Sequence, residues 1–108
     1  MFESGVIERA FDLILDGKLY QARTICQELR QKFGDHPTIL FLLGTIALKS
    51  KAPADALPYL RQAVDLDPEE LEFRKVLGAA LQDRDQPDEA LIHYKHVLSV
   101  VPDAVHII

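Results

Sequence analysis

The sequence has little positive charge and no basic segment, which argues against a nucleic-acid binder. Its 12 Lys and Arg residues against 17 Asp and Glu residues give a net charge of −5. Residues 1–36, 37–70 and 71–108 carry net charges of 5 − 6 = −1, 3 − 5 = −2 and 4 − 6 = −2, so no part of the chain is basic. Because clustered cations are needed to follow a phosphate backbone, we expect no nucleic-acid partner.

Long apolar runs and cysteine pairs are also missing. The longest uncharged stretch, Pro37 to Leu48, reaches about half of the roughly 20 residues that an α-helix needs to cross a bilayer. No cationic run precedes an apolar segment at the N-terminus, as in a secretory signal. The single cysteine, Cys26, cannot form an intrachain disulfide. These features predict a cytoplasmic protein without membrane insertion, in which Cys26 is an inert core thiol.

Motifs that carry catalysis are absent as well. The five glycines are scattered singly, and neither a CxxC pair nor a GxSxG turn occurs. His93 and His96, with Glu89 four residues before His93, have a spacing that could place three metal ligands on one helix face. The apolar positions of this helix leave both histidines on its solvated or side surface, so we interpret them as surface residues. We predict no enzyme activity, no metal and no cofactor.

What the sequence does contain is a repeat with a period of 34 residues. Two copies are clear, and a step back by the same interval finds Ala10 for Gly44, Ala22 for Ala56 and Cys26 for Leu60, so a degenerate first copy precedes them. The pairs that recur at this interval are Leu43-Gly44 and Leu77-Gly78, Pro53 and Pro87, Ala56-Leu57 and Ala90-Leu91, Ala63-Val64 and Val97-Leu98, and Pro68 and Pro102.

Within each copy the apolar residues are spaced by three and four, which predicts helices, and no segment alternates with period two. Asp67-Pro68-Glu69-Glu70 has the residues of a helix start: an N-cap acceptor, a proline and carboxylates in the first turn. Gly17 and Gly34 mark helix ends, where a left-handed residue can form the cap. The predicted helices span about residues 4–16, 19–33, 37–50, 53–66, 69–83 and 87–100.

A 34-residue helix-turn-helix unit with Leu-Gly, Ala, a large apolar residue, Ala and a closing Pro resembles the tetratricopeptide repeat. The first copy departs from this pattern, since Arg9, Ala10 and Gly34 replace its leucine, glycine and proline. The resemblance implies an all-α fold, a short right-handed α-solenoid of antiparallel helix pairs with three such repeats at about 3–36, 37–70 and 71–104. Residues 1–108 would form a single domain, in which 103–108 begin a further helix or form an apolar tail.

The recurring small residues have a packing role. A larger side chain at these positions would force two helix backbones apart, at a cost of about 1 to 3 kcal/mol. The four residues concerned are Gly44, Gly78, Ala56 and Ala90.

In the family that this sequence resembles, the first helices of successive repeats line a concave groove that holds peptides or partner segments. A C-terminal carboxylate clamp is not expected here, because Phe11, Thr45 and Ala79 stand where an amide would be needed and Lys75 is the only cation. The groove positions implied residue by residue are Ile7, Phe11 and Ile14 from the first copy, Thr38 at the rim with Phe41, Thr45 and Leu48 from the second, and Lys75, Ala79 and Gln82 from the third.

The segment from Thr38 to Leu48 is apolar around its whole circumference, and a helix of this kind is buried on all sides. A two-layer array covers only part of it, so we expect external cover, chiefly over Phe41, Thr45 and Leu48, with Ile7, Phe11 and Ile14 beside them. The cover would be an amphipathic helix or apolar peptide of a partner, a second copy of the chain, or a missing part of the same polypeptide. In the alternative, Leu40, Leu43 and Ala47 are core residues, and a helix of the first repeat shields the remaining groove residues.

The sequence thus predicts a non-catalytic protein–protein interaction scaffold, which binds a helix or peptide in an apolar concave groove. Its partner would be another protein or another copy of itself. One alternative is the N-terminal adaptor domain of a larger bacterial enzyme, such as a glycosyl-, sulfo- or methyltransferase. Another is a self-assembling module, because the apolar end at Val105, Ile107 and Ile108 is unlike the polar cap that usually closes a repeat array.

Overall fold

The computed structural model describes residues 5–101, and within this range the chain is helical without any strand. This confirms the predicted all-α repeat fold. None of the helices found between residues 5 and 101 is both long enough and apolar enough to cross a bilayer. The six helices are α1 (Val6–Leu15), α2 (Leu19–Phe33), α3 (Pro37–Lys49), α4 (Pro53–Leu66), α5 (Leu71–Asp83) and α6 (Pro87–Val100).

Helix α5 begins two residues later than predicted, at Leu71 rather than at about residue 69. Residues Asp67 to Glu70 form a turn, in which the Glu70 amide donates to the Asp67 carbonyl at 3.2 Å. The Glu70 side chain then accepts a hydrogen bond from the Glu72 amide at 3.3 Å, so Glu70 rather than Asp67 is the N-cap of α5. The predicted acidic cap is present, but it acts three residues further along the chain.

The helices pack as three consecutive hairpins, α1 with α2, α3 with α4 and α5 with α6. The second helix of each hairpin contacts the first helix of the next, and α3 also contacts α1 and α5. The three first helices therefore lie side by side, with α3 in the middle. Eight residues of α3 are buried: Ile39, Leu40, Phe41, Leu42, Leu43, Gly44, Ile46 and Ala47.

All three hairpins close with the same turn. Gly17, Lys51 and Asp85 stand 34 residues apart, and each has a left-handed backbone, with φ of 79°, 64° and 59°. The next amide in each case donates to the carbonyl five residues earlier, at 2.8 to 2.9 Å. This is the Schellman arrangement, which satisfies carbonyls left open at a helix end. The turn thus repeats although only the first copy has glycine there.

In the second and third hairpins, a glycine of the first helix lies directly against the second helix. A Cβ atom added at Gly44 would lie 2.7 Å from Cγ of Leu60, and one added at Gly78 would lie 2.7 Å from Cζ of Tyr94. Both distances are well below van der Waals contact. The packing role predicted for Gly44 and Gly78 is confirmed, because the partners of these glycines are large side chains of the second helix.

Replacing Gly78 by leucine should destabilise the fold by about 1 to 3 kcal/mol through overpacking against Tyr94. Leucine is also a better helix former than glycine by up to about 1 kcal/mol, so the measured loss of stability should be smaller than the cost of the clash alone. Ala79→Leu, at the exposed neighbouring position, is the matched control and should change stability by less than about 0.5 kcal/mol. Urea unfolding followed by circular dichroism measures both, and equal stabilities would contradict the packing account.

Candidate functional site

A cavity of about 430 Å³ lies between the first helices of the three hairpins. Every residue that lines it belongs to α1, α3 or α5, apart from the N-cap of α5. No single repeat could form this site, because each of the three contributes one wall. The lining residues are Ile7, Glu8, Phe11, Asp12, Thr38, Phe41, Leu42, Glu70, Glu72 and Phe73.

The floor of the cavity is aromatic and aliphatic. The rings of Phe41 and Phe73 stack with centroids 4.7 Å apart and an interplanar angle of 27°. Both side chains are buried, and Leu42 beside them is 2% exposed. Phe11 is different, because 44% of its surface is open to solvent. Phe11 is therefore the side chain from which a ligand could remove most apolar surface.

The rim of the cavity is acidic. Glu8 and Asp12 stand four residues apart on α1, while Glu70 and Glu72 lie at the start of α5, and all four are exposed. Lysine, arginine and histidine are absent from the residues that line the cavity. One cation lies nearby, since Nζ of Lys75 is 3.3 Å from Oε1 of Glu72. The apolar floor is thus bordered on two sides by carboxylates.

Four of the predicted groove residues line this cavity, namely Ile7, Phe11, Thr38 and Phe41. Ile14 does not, because it is 1% exposed and belongs to the core. Thr45 and Leu48 are half-buried further along α3 and outside the cavity.

The predicted positions on α5 also lie outside the cavity. Lys75 pairs with Glu72, and Ala79 is exposed. Gln82 faces α6, where its Oε1 accepts a hydrogen bond of 3.0 Å from the Tyr94 hydroxyl. On α5, therefore, the cavity uses the first turn of the helix, whereas the predicted positions lie nearer its middle and end.

The expectation of external cover requires correction at Phe41. Phe41 is only 9% exposed, because the ring of Phe73 stacks on it. The hydroxyl of Thr45 donates to the Phe41 carbonyl at 2.9 Å, which satisfies the polar group on this helix. Since α1, α2, α4 and α5 all contact α3, the chain covers most of that helix itself. The solvent-exposed apolar surface of the groove is centred on Phe11.

The carboxylates of the rim were not predicted from the sequence, although the repeat period could have indicated one of them. Thr38 was placed at the rim, and the equivalent position one repeat later is 38 + 34 = 72, which is Glu72. Glu8 and Asp12 directly follow the predicted positions Ile7 and Phe11. The repeat did not indicate Phe73 as a groove residue. The equivalent residue one repeat earlier, Ile39, was not among the predicted groove positions, and in the structure it is fully buried.

A second cavity, of about 590 Å³, lies beside α2, α4 and the end of α3. Its lining includes Arg23 and Arg30 together with Asp55. Arg30 is held in place, with Nε 2.7 Å from Oδ1 of Asp35 and its guanidinium 5.6 Å from the centroid of the Tyr59 ring. This cavity mixes charges of both signs and draws on two repeats, whereas the groove draws on three.

Cys26 is completely buried. Burial raises the pKa of its thiol to about 11, and a thiol in that state is a poor nucleophile at neutral pH. The predicted core role of Cys26 is confirmed.

The two histidines of α6 are half-buried and lie against α5 and the turn before it. Of the two positions predicted for them, a solvated or a side surface of α6, the structure has the side surface. Nδ1 of His93 is 3.2 Å from Nη1 of Arg74. Nε2 of His96 is buried without a hydrogen bond, 3.8 Å from Oε1 of Glu69. Between Gly5 and Val101 no three His, Cys, Asp or Glu residues are grouped so that they could hold a metal ion.

The order of the helices and the shared groove define the class of protein, an array of helical hairpins. Two family models of the tetratricopeptide repeat match the sequence, over residues 47–106 and 16–70. The chain therefore belongs to the tetratricopeptide repeat family, whose members act in general as protein-interaction scaffolds. No curated protein matches the sequence.

Among solved structures, the chain is similar to MamA (residues 41 to the end) from Desulfovibrio magneticus RS-1, with a TM-score of 0.79 and 19% identity. It is also similar to the MamA RS-1 ArsTM double mutant, with a TM-score of 0.78 and 20% identity. The matches cover 92% and 93% of this chain but 56% and 57% of those chains. At such identities the likeness shows a shared fold, and this chain spans little more than half of either structure.

Acidification should destabilise the protein partly through His93. Burial, followed by the charge of Arg74, lowers the pKa of His93 from its ordinary value of 6.5. Because the unfolded chain then binds the proton more readily, the stability that His93 contributes is present above pH 6.5 and is lost as the pH falls through its folded-state pKa. Thermal melts at about pH 7 and about pH 5 should show a smaller drop for His93→Gln than for the natural chain.

Equal drops in the two proteins would contradict this account. An NMR titration of the His93 ring gives an independent readout, since its midpoint should lie below 6.5.

Proposed function

We propose that the chain is a non-catalytic interaction module, which binds a helix or an extended segment of another protein in the groove between α1, α3 and α5. The observation that carries this proposal is a cavity built from all three hairpins, of which one lining residue, Phe11, is 44% exposed. Apolar grooves bordered by polar residues are typical docking sites for amphipathic segments. Residues 1–108 would act as one domain, in three repeats at about 3–36, 37–70 and 71–104.

The site has the form expected of such a groove. Phe41 and Phe73 are held by their stacking and by burial, so the floor is preorganised before a ligand arrives. Phe11 and the half-buried Ile7 supply surface that a bound segment would cover. Covering a large apolar side chain completely is worth about 1.5 to 3 kcal/mol, and Phe11 still has nearly half of its surface to lose.

The test compares two exposed apolar residues of the same helix. Phe11 lines the cavity, whereas Leu15, which is 63% exposed, does not. Peptides selected from a displayed random library on the natural chain should bind Phe11→Ala more weakly by roughly tenfold or more, because an aromatic anchor is lost. They should bind Leu15→Ala about as well as the natural chain. Fluorescence polarisation gives the affinities.

Phe11→Ala removes exposed surface rather than core, so circular dichroism should show both variants folded. Full affinity in Phe11→Ala, or equal loss in both variants, would refute the groove as the binding site. Phe41 is a poor position for this test because its burial would confuse loss of binding with loss of folding.

The outer face of α6 supports a second candidate, in which the array is extended by further structure. Leu91 and Leu98 are 49% and 40% exposed, whereas the equivalent residues one repeat earlier, Leu57 and Val64, are each 6% exposed. The difference arises because α5 covers α4. We propose that a helix of the same polypeptide or of a second copy covers this face. The predicted tail at 103–108 lies outside the described residues.

A second copy on this face would make the protein self-associate. Sedimentation velocity over a range of concentrations should then show a dimer that Leu91→Lys/Leu98→Lys dissociates, since two charges would enter an apolar interface. Tyr20→Lys, at a 79% exposed residue of α2, is the control and should leave the dimer intact. A monomer at every concentration would exclude self-association and leave the adaptor of a larger enzyme as the alternative.

A further inference from the structure

We infer that the segment bound in the groove is basic and amphipathic: its apolar side chains cover Phe11 and the Phe41–Phe73 pair, and its lysines or arginines face the carboxylates of the rim. This inference rests on the proposed function and adds the chemistry of the partner. The occupant is therefore a cationic segment of another protein rather than an acidic or neutral one.

The charged residues that line the cavity are all negative. Glu8, Asp12, Glu70 and Glu72 line the cavity without any basic residue among the lining. Among residues 5–101, the ion pair formed by these four carboxylates is that of Glu72 with Lys75, at 3.3 Å. A ligand with positive charges beside its apolar residues would meet opposite charge on the α1 side and on the α5 side. Such complementarity raises the rate of association and suppresses acidic competitors.

The carboxylates of α5 have a structural role that those of α1 lack. Glu70 caps the helix by accepting from the Glu72 amide, and Glu72 pairs with Lys75. Glu8 and Asp12, in contrast, form no side-chain hydrogen bond or ion pair with any other residue from 5 to 101. The wall formed by α1 is therefore the part of the rim most available to a ligand.

Asp12 is also placed where it does not help its own helix. It lies in the last turn of α1, which has no basic residue, and a negative charge near a helix C-terminus is unfavourable because the dipole there is negative. Capping and helix stability thus explain Glu70 and Glu8 but not Asp12. A cation bound beside Asp12 would offset this repulsion.

The probes are two synthetic amphipathic peptides of the same pattern, one of leucine and lysine and the other of leucine and glutamate. The Leu–Lys peptide should bind the natural chain at least roughly tenfold more tightly than the Leu–Glu peptide, and its affinity should fall as salt increases. Both the preference and the affinity should weaken in Phe11→Ala. Isothermal titration calorimetry gives the dissociation constants.

Two variants of equal charge separate the rim from the charge of the whole protein. Glu8→Lys/Asp12→Lys reverses the α1 wall, and Glu28→Lys/Asp65→Lys makes the same change at exposed positions of α2 and α4 outside this cavity. Both carry a net charge of −5 + 4 = −1. The first should lose the preference for the Leu–Lys peptide or invert it, while the second should keep most of it.

The outcomes distinguish this inference from the proposal on which it rests. Equal affinity for the two peptides, or preference for Leu–Glu, overturns the inference, and so does an equal loss in both charge variants. If binding still depends on Phe11 in these cases, the groove stands and only the chemistry of its ligand is wrong. If neither peptide binds in a Phe11-dependent manner, and no Phe11-dependent peptide is selected from the displayed library, both proposals fail.

Discussion

The structure depends on the close approach of the two helices within a hairpin. In the second and third hairpins this approach requires a residue without a side chain, and the first hairpin has the small, buried Ala10 at the equivalent position. At Gly44 and Gly78 the backbone of the first helix meets Leu60 and Tyr94 of the second at distances that exclude a Cβ atom. This contact, together with the same left-handed turn in all three hairpins, gives the units a common geometry. Units of common geometry stack in one direction, so their first helices come to lie next to one another.

Stacking decides which surfaces remain for binding. The middle helix α3 has the most apolar sequence of the six described helices, but α1, α2, α4 and α5 contact it and bury most of its residues. Most of its apolar surface is therefore not available to a ligand. On α1, which contacts α3, the aromatic side chain of Phe11 remains exposed within the groove. The groove therefore owes its floor to the centre of the array and its accessible edge to the first repeat, the copy that departs most from the family pattern. The carboxylates of Glu8 and Asp12 make that edge negatively charged.

The repeat period allowed the helices to be predicted closely, because small residues and prolines recur at fixed positions whatever surrounds them. Burial was harder to predict. Phe41 and Ile14 have the correct register for a groove, yet the stacking of Phe73 and the packing of α1 place them inside. Such contacts depend on two helices at once, so no periodicity within one segment reveals them. The acidic rim was not predicted. Glu70, near a helix start, was interpreted as part of a cap, which it is, whereas Asp12 in the last turn of α1 was given no role.

The central claim is that one groove, built by the first helices of three repeats, binds an apolar segment between two acidic walls. The most direct test is a crystal structure of the chain with a peptide selected for binding to it. The account predicts apolar peptide side chains in contact with Phe11 and Phe73 and a lysine or arginine beside Glu8 or Asp12. A peptide seated instead in the cavity beside α2 and α4, with the groove empty, would contradict it.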